Sequence, residues 1–165
     1  MIPKQEWLTI PEEEWISAIT NRFELCAPRE QGRAPSLRNF RRAAAHAWRF
    51  GQHIKRDSRE LQGFIEMINI RASEELSCSG QTLLRSGEVY VPFQKFCKSL
   101  IDRVYNPAED TVALALWTER ELYRICPFTN AGNETIKIVA SWVLLLGGKH
   151  PSRIDEMPSH TVAAE

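Results

Sequence analysis

The side chains between Cys126 and Lys137 are the ones whose types and spacing could do chemistry: a thiol at Cys126, amides at Asn130 and Asn133, a carboxylate at Glu134 and an ammonium at Lys137. Pro127 biases the residue before it away from the helical region, so a helix ends near Cys126. Thr129 to Asn133 then carries the turn formers Asn130, Gly132 and Asn133. A second helix begins near Glu134, continues through Ile136, Val139, Ala140, Val143 and Leu144, and stops at Gly147-Gly148. A loop of small residues opening onto a helix N-terminus leaves backbone N–H groups unpaired, which makes a site for anions. Cys126, just ahead of it, sits where a thiolate could serve as a nucleophile or an unusual base. The competing expectation is a buried, inert thiol. His46, His53, His150 and His160 form no recognisable partner motif for it.

A second concentration of chemistry is basic. Arg38, Arg42, Arg49 and Arg56 follow +4, +7 and +7 spacing, with Arg41 and Lys55 beside them. Such a stripe suits an acidic partner, nucleic acid or an anionic membrane surface. It lacks interleaved stacking aromatics, and Glu12, Glu13 and Glu14 could balance it as an ordinary solvated face. Overall neutrality hides it, since the formal net charge is zero.

The elements that must position these residues are helical. Thr9-Ile10-Pro11-Glu12 reads as a capping box opening a helix with Trp15, Ile19 and Phe23 on one face. Ser36 caps a second, with Leu37, Phe40, Ala44, Ala47, Trp48 and Ile54 inward. Asp57-Ser58-Arg59-Glu60 opens a third, lined by Leu61, Ile65, Ile68, Ala72 and Leu76, which Ser77 to Gly80 ends. Gln81 to Pro92 is the one β-prone region, with Val89-Tyr90-Val91 its strand and Ser86-Gly87 a turn. Phe93, Phe96, Cys97, Leu100, Ile101 and Val104 give another helical stripe. Asn106-Pro107-Ala108-Glu109 combines an N-cap, a Pro at N1 and a Glu at N3 to start the helix leading to Cys126. The expectation is an all-α domain of about six helices with one small β-hairpin, residues 1–151 forming a single domain and 152–165 a C-terminal tail, frayed over Pro158 to Glu165. Its 165 residues suffice for one full core. The helix from Glu134 to Leu146, apolar nearly all round, belongs at the centre.

Met1 to Ile10 has no apolar core of a signal peptide, and the run Ile138 to Leu146 is far short of the ~20 residues that span a bilayer. Cys26, Cys78, Cys97 and Cys126 are scattered, with no C-x-x-C pair, so no metal site or disulfide framework is expected and reduced thiols in a cytoplasm are the default.

The central stretch resembles the Fic/Doc (Fido) family, whose motif is H-P-F-x-[D/E]-G-N-G-R-x-x-R. Pro127, Phe128, Thr135 and, conservatively, Lys137 match, with a displaced Gly132-Asn133. Leu144 to Pro151 is similar to the family's L-L-L-x-x-G-x-P ending, and Leu84-Arg85-Ser86-Gly87-Glu88-Val89-Tyr90-Val91-Pro92 to the stretch forming its target-docking flap. The resemblance runs from Leu61 to Pro151 and implies a Fic-like fold, with the flap at Gly87, Glu88, Val89, Tyr90 and Val91 docking a target segment as an added strand.

In that family the motif transfers AMP, or occasionally another phosphate-containing group, to a protein hydroxyl. The histidine takes the proton, the acid holds magnesium, G-N-G cradles the phosphates and two arginines pair with them. The resemblance sets Cys126 at the histidine, Asn130 at the acid and Ala131 at the first glycine. Gly132 and Asn133 stand in swapped places, Glu134 replaces the first arginine and Lys137 the second. A thiol with reference pKa about 8.5 is a poor base near neutrality. Asn130 offers magnesium a neutral carbonyl only. At an effective dielectric of about 20, two like unit charges 4 Å apart repel by ~4 kcal/mol, roughly a thousandfold in affinity, so Glu134 is the most damaging change. Lys137 keeps a point charge without a bidentate fork. These substitutions imply a pseudoenzyme that acts by binding a protein, with no cofactor expected and with magnesium and ATP relevant only if the site is active. The alternative is a divergent Fic-type nucleotidyl or phosphoryl-group transferase, or a Cys126-dependent enzyme. The resemblance also admits delivery into another cell by a specialised secretion system.

Overall fold

The computed structural model describes residues 10–26, 35–76 and 82–154. Six α-helices occupy them: α1 (Glu12–Cys26), α2 (Leu37–Phe50), α3 (Ser58–Ser73), α4 (Tyr90–Val104), α5 (Thr111–Ile125) and α6 (Gly132–Leu146). The protein is all-α, and no helix among the described residues is long and apolar enough to cross a membrane.

Burial follows the periodicity closely. Leu61, Ile65, Ile68, Ala72 and Leu76 are buried along and just beyond α3, and Phe93, Phe96, Cys97, Leu100, Ile101 and Val104 along α4. Every residue of α6 from Glu134 to Leu146 is buried, and it packs against α1, α2, α3 and α5. Its end is closed by Gly147 and Gly148 N–H groups donating to the Leu144 and Leu145 carbonyls, at 3.0 and 2.9 Å. Gly148 has φ 66°, a conformation that glycine reaches without a Cβ penalty. Gly51 is fixed by proximity instead, since a Cβ there would collide with the Trp142 indole.

Two expected caps are present. Ser36 Oγ accepts from Asn39 N at 3.2 Å, and Asp57 Oδ1 accepts from Arg59 N at 2.8 Å. Glu60 does not complete the box, because its carboxylate accepts from Lys55 N at 2.9 Å. Thr9, Ser77 to Gly80, and Pro158 to Glu165 lie outside the described residues, as does the Phe23 side chain.

Four expectations are corrected. The segment expected to form a hairpin is not β: Gly87–Val89 is a 3-10 turn, and Tyr90 and Val91 begin α4. Pro92 falls in the first turn of α4, where its missing N–H costs nothing, and burial of Val89 and Phe93 outweighs local β propensity. The only β pairing among the described residues is an isolated antiparallel bridge between Leu84 and Phe128. The helix leading to Cys126 starts at Thr111, not after Asn106. Asn106 Oδ1 accepts from Ala108 N, and Arg103 holds the Glu109 carboxylate at 2.5 Å, which leaves Asp110 to cap Val112 N and Ala113 N at 2.9 and 3.2 Å. Leu37, expected inward, is 44 % exposed. Arg56 is off the helix that carries Arg38, Arg42 and Arg49, because α2 ends at Phe50.

Candidate functional site at the mouth of α6

Cys126 ends α5 in the left-handed region, φ 50° and ψ 60°, and its N–H donates to the Leu122 carbonyl at 2.8 Å. That bond is a left-handed helix stop, usually built with glycine. The Cys126 thiol is exposed, which overturns the expectation of a buried one. Among the described residues the buried thiol is Cys97, pushed up by burial first and by the Glu66 charge second.

Chain 127–131 then runs between two supports. On one side Arg85 N donates to the Pro127 carbonyl at 2.8 Å, Thr129 N to the Leu83 carbonyl at 3.2 Å and Thr129 Oγ1 to the Thr82 carbonyl at 2.9 Å. Arg85 Nε adds a bond to the Cys126 carbonyl at 3.0 Å. Beneath, Phe128 is buried with its ring edge-on to Phe93, centroids 5.6 Å apart. On the other side α3 contributes Asn69, a fully buried amide on its apolar face. Asn69 Nδ2 donates to the Asn130 carbonyl at 2.7 Å and to Thr135 Oγ1 at 3.0 Å. Thr135 Oγ1 in turn donates to the Ala131 carbonyl at 2.8 Å. Of the expected docking stretch, Leu84 and Arg85 meet the loop, and the neighbouring Thr82 and Leu83 complete the support.

α6 begins at Gly132, two residues before the expected start. Ala131 precedes it with φ 51°, and no side chain caps the first turn. Glu134 lies in that turn and is buried, as is Lys137 one turn on. A carboxylate at this end of a helix is stabilised by the dipole and by the unpaired N–H groups.

A groove of about 370 Å3 opens beside the loop, lined by Asn69, Ser73, Glu74, Thr82, Thr129 and Asn130. No group of three or more His, Cys, Asp or Glu that could hold a metal occurs among the described residues. The donor set does not suit magnesium, since Asn130 supplies no carboxylate, Glu134 is buried in the first turn, and the groove's Glu74 is paired with Arg42.

The basic residues gather elsewhere. Arg49 pairs with Glu12 at 2.8 Å, Arg42 with Glu74 at 3.1 Å, Arg41 with Glu13 at 3.7 Å and Arg56 with Asp102 at 3.3 Å. Most of the expected stripe is thus balanced by acids from α1, the turn after α3, and α4. Asn69 and Arg71 were not singled out from the sequence. The signal for Asn69 was a polar residue at +4 from Ile65 and −3 from Ala72, on an otherwise apolar face. No family model, curated protein or solved structure matches this chain.

Proposed function

We propose that this chain is a degenerate Fic-like domain that acts by binding a protein partner and does not transfer AMP by the usual route. The observation that carries this is the buried carboxylate of Glu134 in the first turn of α6. A polyphosphate approaching those N–H groups would meet a fixed negative charge in a region of reduced dielectric. The left-handed backbone at Ala131 supports the ancestry, since the family motif has a glycine at that point. So does the contact of Leu84 and Arg85 with 126–128, which brings the start of the expected docking stretch beside the loop. Exposed Tyr90 and Val91 at the start of α4, with exposed Tyr123 on α5, supply apolar surface for a protein contact.

Calorimetric titration with ATP or CTP and magnesium tests the proposal. The wild-type chain should give no measurable binding. A Cys126→His, Asn130→Asp double variant should still fail, and adding Glu134→Arg should bring binding back. Tight binding by the unaltered chain would sink the proposal.

The exposure of the Cys126 thiol favours one second reading, a Cys126-dependent enzyme. Exposed thiols alkylate in any case, so rate discriminates. Alkylation at neutral pH no faster than that of a free cysteine peptide supports the binding protein, and a rate well above it supports the enzyme.

A further inference from the structure

Helices α1, α2 and α3 border an open groove of about 690 Å3 that shares no lining residue with the groove beside the α6 loop. Five arginines line it against two glutamates. Three of the five, Arg41, Arg42 and Arg49, are drawn to surface carboxylates, and exposed pairs of this kind exchange readily with other partners. Arg71 is different. Its Nε donates to His46 Nδ1 at 3.4 Å, so it meets an imidazole whose protonation is disfavoured by burial first and by Arg71 itself second. Among the described residues neither Arg71 nor Arg38 has a carboxylate partner within ion-pair distance. Two uncompensated cations in one concavity attract an anion.

The groove also has apolar ends. Leu37 begins α2 and Phe50 ends it, 44 % and 53 % exposed, and both line the groove. At 1.5 Å of rise per residue they stand about 20 Å apart. Ala45 and the buried Ile16 also line it. A compact anion would engage the arginines and leave both ends in water; a peptide would cover the whole length. A continuous nucleic-acid backbone or an anionic bilayer would run into Glu12 and Glu13.

We propose that this groove docks an acidic amphipathic segment of a protein partner. Its carboxylates lie on Arg38 and Arg71 and its apolar side chains on Leu37 and Phe50, a helix-in-groove mode of recognition. This does not depend on how the α6 loop is read. The probe is a displayed library of random peptides long enough to span the groove, selected against the full chain. Enriched peptides should be acidic with two separated apolar anchors. Their affinity should fall roughly tenfold or more in Arg38→Glu and in Phe50→Ser, both exposed positions where far-UV dichroism checks the fold. Arg71→Gln should weaken binding as well. Enrichment without acidic excess, failure to enrich any peptide, or unchanged affinity in Arg38→Glu and Phe50→Ser would overturn the proposal. Tighter binding of oligo-dT or of phosphatidylserine vesicles than of any selected peptide, lost in the same variants, would overturn it in favour of nucleic acid or membrane.

Discussion

The mouth of α6 and the groove along α2 solve opposite problems. At α6 the polar groups are answered from within: Asn69 serves Asn130 and Thr135, Thr135 serves Ala131, and Glu134 is buried in the first turn. Along α2 the charges are answered weakly, by surface carboxylates or by a neutral ring. Buried polar networks are costly to break and so contribute to holding the fold, whereas exposed pairs contribute little and leave charge available for a partner. The region that looks most like a catalytic site in the sequence is thus the more structural of the two.

Asn69→Ala is the sharpest way to break that contrast. It removes two hydrogen bonds and leaves a cavity beside the loop, which together should cost about 3 kcal/mol. In a chain of this size that lowers the melting temperature by roughly 6–12 °C. Arg38→Glu should stay within about 0.5 kcal/mol of wild type, because it removes no buried contact, and Phe50→Ser should cost about 1 kcal/mol, since it gives up the ring contact with His46. Equal losses in the two regions by thermal or urea unfolding would abolish the distinction.

The unequal legibility of the two regions has the same origin. Helix faces such as Leu61 to Leu76 and Phe93 to Val104 depend only on period and burial, and local caps such as Ser36 and Asp57 on neighbours within three residues; both were readable. The conformation of Val89-Tyr90-Val91 is not legible locally, because tertiary burial of Val89 and Phe93 decides it. The helix start at Thr111 was missed because it depends on Arg103 capturing Glu109. The loop's residue types were visible, but the Asn69 clamp spans 61 residues of sequence separation to Asn130. The pairing of Arg71 with His46 needs α2 laid against α3, and no spacing rule encodes that.

Two glycine substitutions at the loop measure a smaller effect. A non-glycine residue in the left-handed region costs about 1–2 kcal/mol, and glycine returns roughly 0.5–1 of that through unfolded-state entropy. Cys126→Gly loses no burial, since the thiol is exposed, and should stabilise by about 0.5–1 kcal/mol. Ala131→Gly has the same backbone gain but gives up a buried methyl worth about 0.8 kcal/mol, so it should come out near zero. Chemical denaturation of the two variants side by side checks the difference. A clear loss of stability in Cys126→Gly would mean that the thiol makes a contact that the exposed geometry excludes.

The smallest effect is a titration, and it sharpens the other half of the comparison. His46 is held below its ordinary value of 6.5, by burial first and by Arg71 second. Arg42, Arg49, Glu12 and Glu13 line the same groove. Because the depressed value belongs to the folded state, the unfolded chain binds more protons in the window just below 6.5. The associated stability is therefore complete above that pH and declines as pH falls through the window. An NMR titration of the imidazole should give a midpoint below 6.5. Arg71→Gln should move it up but not fully back, since burial remains the larger cause. A docked acidic peptide should raise it as well, because its carboxylates favour the imidazolium. A free-chain midpoint at or above 6.5 would mean that the groove already holds its anion, and the contrast with α6 would disappear.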